Sequence, residues 1–191
     1  RGRPVSDTQV EWYPLGRLLA GTAAVGAAIT LAGALSLGGG SHEAYRTVLT
    51  QAMETVLQIQ TRAGAAPGPG PSFATPEFAA RLVDLVPLVA TTVFVLVLVL
   101  NLWMAAKVVS VSQRLPRPWP AIAETVMPRG TLGLLAGGIA LAFLPGYAGV
   151  LGLALVGGLT MAFALQGLAF VHAVTRRRSA RTAILTRTYV L

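Results

Sequence analysis

Long apolar blocks alternate with short polar, basic segments along this chain. Each block is long enough for an α-helix to cross a hydrocarbon core of about 30 Å. Of the 191 residues, 54% are hydrophobic and 12% are charged, against roughly 25% charged in a soluble domain. We therefore predict an all-α fold, a polytopic transmembrane helix bundle with about four crossings. The crossings are expected at residues 15–37, 85–106, 128–144 and 150–174.

The blocks and their connections are interpreted as a single membrane domain over residues 1–191. The sequence begins at Arg1 rather than at a methionine, and apolar residues return at the last three positions. No charged segment followed by a short apolar run and a cleavage site opens it, so no signal peptide is recognised. We expect a fragment of a longer chain, with further helices on both sides.

The segment 38–84, between the first two blocks, is too polar to cross the membrane. From His42 to Arg62 apolar residues recur at helical spacing, with polar residues on the opposite face. This pattern predicts an amphipathic helix that either lies on the membrane surface or packs against other helices. Alternating proline and glycine predict a flexible linker over residues 63–74.

The basic residues are distributed unevenly between the two sides of the predicted bundle. The N-terminus, the 107–129 loop and the C-terminal tail hold 12 of the 15 basic residues, which gives net charges of +9 and −1 on the two sides. Positive loops remain cytoplasmic during insertion. We therefore expect a multi-pass protein of the bacterial inner membrane with its basic loops in the cytoplasm and residues 38–84 outside. The run Arg176, Arg177 and Arg178 is either a topology anchor or a site for anionic lipid headgroups.

Polar side chains inside the predicted crossings are the candidate ligand-binding residues. Asn101 and Gln166 lie within apolar blocks, where polar groups without partners are costly. They either line a path for a small molecule or form hydrogen bonds between helices. His172 either lines a path for a small molecule or ion or lies near the cytoplasmic interface. Asp84 and Arg81, three residues apart on one helix, could form an interfacial ion pair.

Small residues on the last two blocks predict close helix packing. Gly133 and Gly137 form a G-x-x-x-G pattern, and Gly157 and Gly158 lie on the following block. Such glycines let two helix backbones approach closely in lipid. A role of their backbone in facing a substrate is the alternative.

The sequence contains no recognisable catalytic or cofactor motif. It has no cysteine and only two histidines, far apart, and it lacks the phosphate-binding, zinc-protease and hydrolase motifs. We expect no enzyme activity, no cofactor and no metal. The net charge of +8 is explained by topology, so no nucleic acid partner is expected.

Five short stretches resemble a known family. They read EWYPLGR from Glu11, NLWMAAK from Asn101, RPWP from Arg117, FLPG from Phe143 and AFALQGLA from Ala162. Together they resemble the YybS-like family of uncharacterised bacterial multi-pass membrane proteins, a domain of unknown function. This family is distantly similar to the substrate-binding subunits of energy-coupling-factor vitamin transporters, which implies a role in small-molecule uptake.

Two functions remain open from the sequence. In the first, the protein is a transport-related subunit that binds a small molecule and works with partner subunits. In the second, it is a structural or accessory subunit that docks onto a larger membrane complex through its small-residue faces. Partners in either case are the lipid bilayer and other membrane protein subunits.

The predicted orientation can be tested with trypsin on spheroplasts. Trypsin added outside is expected to cut within residues 38–84 and to leave Arg176–Arg178 intact until the membrane is permeabilised, because the basic ends face the cytoplasm. Immunoblotting of the fragments provides the measurement. Cleavage of the basic ends in intact spheroplasts would contradict the orientation.

Overall fold

The computed structural model describes residues 13–62, 76–114 and 125–175, which form five α-helices. The helices are α1 (Leu15–Gly38), α2 (His42–Arg62), α3 (Pro76–Val111), α4 (Gly130–Ala142) and α5 (Tyr147–Thr175). These three ranges contain no strand, and the predicted all-α fold class is confirmed. The predicted linker 63–74 and the arginines Arg176, Arg177 and Arg178 lie outside the described residues.

Three of the helices are long and apolar enough to cross a membrane. The qualifying stretches of α1, α3 and α5 contain 24, 32 and 29 residues. At 1.5 Å per residue even the shortest is about 36 Å long, more than the hydrocarbon core of about 30 Å. The block predicted at 128–144 contains α4, whose 13 residues extend for only about 20 Å. As a helix, α4 alone therefore covers about two thirds of the core.

Helix α5 lies at the centre of the bundle and contacts α1, α3 and α4. Half of the residues in its most apolar 18-residue stretch are buried, against 28% in the corresponding stretch of α1 and 22% in that of α3. Leu159 of α5, Ala23 of α1 and Val95 of α3 are completely buried together. One helix thus supplies a shared packing surface for the other three.

Glycines permit the close contacts of α5. A Cβ atom on Gly157 would collide with the carbonyl oxygen of Leu88 in α3, and one on Gly152 would collide with the α4 backbone at Ala142. Gly158 is buried between α3 and α1, where a Cβ would lie 3.0 Å from Thr91 Cγ2 and 3.2 Å from the Ala23 carbonyl oxygen. At these glycines the helix backbones come so close that only the hydrogen atom of a glycine fits between them.

On α4, the glycine that faces α5 is Gly138. A Cβ there would lie 3.1 Å from the Cβ of Leu155. Gly133 and Gly137 are exposed, and a Cβ on either would have no described atom within 4 Å. Their role in helix packing stays a prediction.

The amphipathic helix α2 packs against α1 and α3. Two glycines with positive φ, Gly39 at 55° and Gly40 at 89°, reverse the chain between α1 and α2. Tyr45 is 5% exposed and clusters with Ala34 and Val150. The N-terminal half of α2 is therefore part of the bundle.

Replacing Gly157 with alanine tests the close contact between α5 and α3. The added methyl group meets backbone at Leu88, so we expect a loss of about 1–3 kcal/mol in the free energy of unfolding, as for other overpacked sites. Gly133→Ala is the matched control, because open space there leaves only the helix-propensity gain of about 0.5–1 kcal/mol. Thermal unfolding in detergent measures both. Equal Tm values for the two variants would contradict the described contact.

Candidate functional site

The two ends of the bundle differ in charge. The contact of Gly38 with Tyr147 places the α1–α2 turn beside the α4–α5 turn, and we call this the α2 end. The described charged residues next to these turns are two arginines and two acids: Arg46, Arg81, Glu43 and Asp84. The described charged residues near the opposite end are all basic: Arg17, Lys107, Arg114 and Arg129.

A cavity of about 270 Å³ lies at the α2 end, between α2, α3 and the α4–α5 turn. Polar side chains line one part of it and apolar side chains line another. The polar ones are His42, Tyr45, Arg46 and Asp84, and the apolar ones include Val83, Pro87, Leu144, Val150 and Leu153. Concave sites with apolar walls and a few polar groups are typical of small-molecule binding.

An ion pair joins α2 to α3 in the cavity wall. Arg46 Nη2 lies 2.9 Å from Asp84 Oδ1, and the two side chains are 45% and 57% exposed. The sequence suggested Arg81 as the partner of Asp84, and this is corrected, because α2 folds back and brings Arg46 to the carboxylate. Ion pairs this exposed contribute about 0–1 kcal/mol to stability, so the pair can separate at little cost.

Three aromatic rings fix the N-terminal half of α2 beside the cavity. The ring centroids of His42 and Tyr147 lie 5.6 Å apart in a T-shaped arrangement, and those of Tyr45 and Tyr147 lie 6.4 Å apart. Tyr147 Oη donates a long hydrogen bond of 3.5 Å to the Ala34 carbonyl oxygen. Gly38 makes room for this cluster, since a Cβ there would lie 2.5 Å from Tyr147 Oη. Burial, and secondarily the neighbouring Tyr147, raise the pKa of Tyr45.

The residues predicted to bind a ligand lie away from this cavity. Asn101 is exposed on α3. Gln166 is half-buried on α5, and its Nε2 donates a 2.7 Å hydrogen bond to the Thr125 carbonyl oxygen just before α4. Neither side chain lines the cavity, and their role in ligand binding stays a prediction. His172 Nδ1 lies 3.1 Å from the Leu168 carbonyl oxygen of its own helix.

Two threonines form a polar contact inside the bundle that sequence reasoning missed. Thr91 Oγ1 donates to the Pro87 carbonyl oxygen at 2.9 Å, and Thr30 Oγ1 lies 2.8 Å from Thr91 Oγ1. Thr91 has one hydroxyl proton and gives it to Pro87, so Thr30 is the donor of the second bond. No signal in the sequence pairs two threonines from separate apolar blocks. Metal binding by three or more histidines and acids is not found among the described residues.

The lengths and apolar composition of the helices define a polytopic α-helical membrane protein. Residues 9–191 match the family model described as "Predicted membrane protein (DUF2232)", and the chain belongs to this family. None of the curated proteins and none of the solved structures matches the chain significantly. This match does not extend to the YybS-like name or to the similarity to vitamin-transporter subunits, and both stay resemblances.

The raised pKa of Tyr45 predicts a dependence of stability on pH. Above its ordinary value of 10.0, the unfolded chain releases the Tyr45 proton before the folded chain does, so stability falls as pH rises. We expect the Tm in detergent to fall less steeply above pH 10 in Tyr45→Phe than in the parent protein. Tyr13→Phe is the control, because Tyr13 is 62% exposed. Identical pH profiles for the parent and Tyr45→Phe would contradict the prediction.

Proposed function

We propose that this protein is the small-molecule-binding subunit of a transport system in the bacterial inner membrane. The observation that carries the proposal is the cavity of about 270 Å³ with Arg46 and Asp84 in its wall. Below it the helices meet backbone to backbone at glycines such as Gly157. A cavity with polar groups at one end of a closely packed bundle supports the binding of a small molecule from that side of the membrane.

Binding without chemical conversion suits the polar groups of the cavity. The carboxylate of Asp84 and the guanidinium of Arg46 neutralise each other, whereas a general base is directed at a proton that it removes. His42 packs edge to face with Tyr147. We therefore propose recognition rather than catalysis, with transport energy supplied by partner subunits.

The distribution of charge supports an orientation with the cavity outside the cytoplasm. The described charged residues near the end opposite α2 are Arg17, Lys107, Arg114 and Arg129, without an acid among them. Positive segments are retained in the cytoplasm. The cavity at the α2 end then opens toward the extracytoplasmic side, where a protein that takes up nutrients meets its ligand.

A structural or accessory subunit is the second candidate. The exposed Gly133 and Gly137 on α4 favour it, because small residues at a lipid-facing surface allow another helix to approach closely. This function requires a partner helix on α4 and requires no occupant in the cavity.

Filling the cavity separates the two candidates. Leu153→Trp and Leu144→Trp place a larger side chain in the cavity wall, and Leu132→Trp adds the same side chain at an α4 position that is 66% exposed and outside the cavity. Mass spectrometry of the protein purified in mild detergent is expected to find a small molecule bound to the parent and to Leu132→Trp. The two cavity variants are expected to have lost it, since bulk replaces the space it occupies.

Thermal unfolding shows whether each variant is folded, and Leu144, already 51% exposed, can be enlarged with little strain. If the parent protein carries no small molecule, or the folded cavity variants retain it, the binding function is wrong. Partner proteins that remain with both cavity variants but are lost on Gly133→Leu would support the accessory role.

A further inference from the structure

We infer that the cavity at the α2 end selects a small zwitterion, a molecule with an ammonium and a carboxylate on an apolar body. This rests on the proposed function, since it names the class of ligand that the same cavity takes. The observation behind it is that the described residues of the cavity wall include one cation and one anion, Arg46 and Asp84, 2.9 Å apart.

The arrangement of these two charges discriminates between ligand types. A ligand with only a carboxylate can bind Arg46 but leaves Asp84 without its partner, and a ligand with only an ammonium leaves Arg46 without its partner. A zwitterion supplies both opposite charges, so each side chain exchanges one ion pair for another. A neutral ligand leaves the pair intact but gains no bond to a full charge, and such bonds are stronger than neutral ones.

The exchange is easy because the pair is only partly buried. Arg46 and Asp84 are 45% and 57% exposed, and ion pairs in such surroundings contribute little to stability. Water can solvate both groups while the ligand enters. The preference for a zwitterion therefore arises in the bound state, where both charges are partnered again.

The rest of the cavity sets the size and the nature of the ligand body. Val83, Pro87, Val150 and Leu153 supply an apolar wall, with the ring of Tyr45 nearby. A volume of about 270 Å³ is below the range of roughly 300–1,000 Å³ that holds drug-sized ligands. A molecule of amino-acid size with a branched or aromatic side chain fits these limits.

Two matched sets of probes test the inference on the purified full chain. The first set is leucine, 4-methylpentanoate and 3-methylbutylamine, which share a branched apolar body. Leucine carries both charges, 4-methylpentanoate carries only the negative charge and 3-methylbutylamine carries only the positive charge. The second is phenylalanine, 3-phenylpropionate and 2-phenylethylamine. Isothermal titration calorimetry in detergent at neutral pH is expected to show that a zwitterion binds on the order of tenfold more tightly than both singly charged members of its set, about 1.4 kcal/mol.

Charge-removing variants should reverse this preference in opposite directions. Asp84→Asn leaves Arg46 without a partner, so the carboxylate-only probe is expected to bind at least as tightly as the zwitterion. Arg46→Gln leaves Asp84 alone and is expected to favour the ammonium-only probe. Arg62→Gln and Glu54→Gln remove matching charges from exposed positions of α2 outside the cavity, and they should keep the preference of the parent protein.

The outcomes distinguish this inference from the proposed function. If a molecule co-purifies in the cavity but neither zwitterion exceeds its singly charged analogues, the zwitterion inference is wrong and the binding function stands. An unchanged order of probes in folded Asp84→Asn and Arg46→Gln also overturns it. If the cavity variants show that nothing binds there, the proposed function itself fails.

Discussion

The close backbone contacts of α5 hold this structure together. Lipid is as apolar as leucine, so burial from water gives helices little reason to associate inside the membrane, and van der Waals contact has to supply the attraction. Glycine at positions 152, 157 and 158 brings the backbone of α5 against α4, α3 and α1. The positions of α3 and the α4–α5 turn follow from these contacts, and so do two walls of the cavity.

The third wall of the cavity is formed by α2, which is held by a different kind of interaction. Helix α2 is polar on one face and joins the bundle through aromatic rings, one ion pair and a close approach to Gly38 at the end of α1. Tyr45 is buried, while Val56 and Ile59, further along α2, are 48% and 59% exposed. The candidate site therefore lies where a closely packed membrane bundle meets an attached amphipathic helix.

The helices could be predicted from the sequence because their cause is local. The length of each apolar block is imposed by the bilayer, and Pro76 marks the start of α3, since proline is favoured in the first turn. Helix α5 begins at Tyr147 rather than near residue 150, because Gly146 at φ 74° completes the turn at once. This difference concerns the turn geometry and leaves the fold unchanged.

The site could not be predicted in the same way because it is built from distant residues. Asn101 and Gln166 stand out in the sequence because they are polar within apolar blocks, whereas the cavity groups lie near helix ends, where polar residues are common. The pairing of Arg46 with Asp84 depends on how α2 folds back, which no local spacing encodes. Likewise, a G-x-x-x-G pattern indicates a helix face of small residues but does not show which face contacts another helix. In the structure Gly138 faces α5, whereas Gly133 faces outward.

The threonine contact between α1 and α3 has a direction. Thr91 gives its only proton to Pro87 and accepts one from Thr30, so hydrogen bonding passes from α1 through α3 to a backbone carbonyl. The two hydroxyls therefore differ: Thr91 takes part in two of these hydrogen bonds, whereas Thr30 takes part in one. Sliding α1 along α3 would break the Thr30–Thr91 hydrogen bond, so this contact favours one register between two otherwise apolar helix faces.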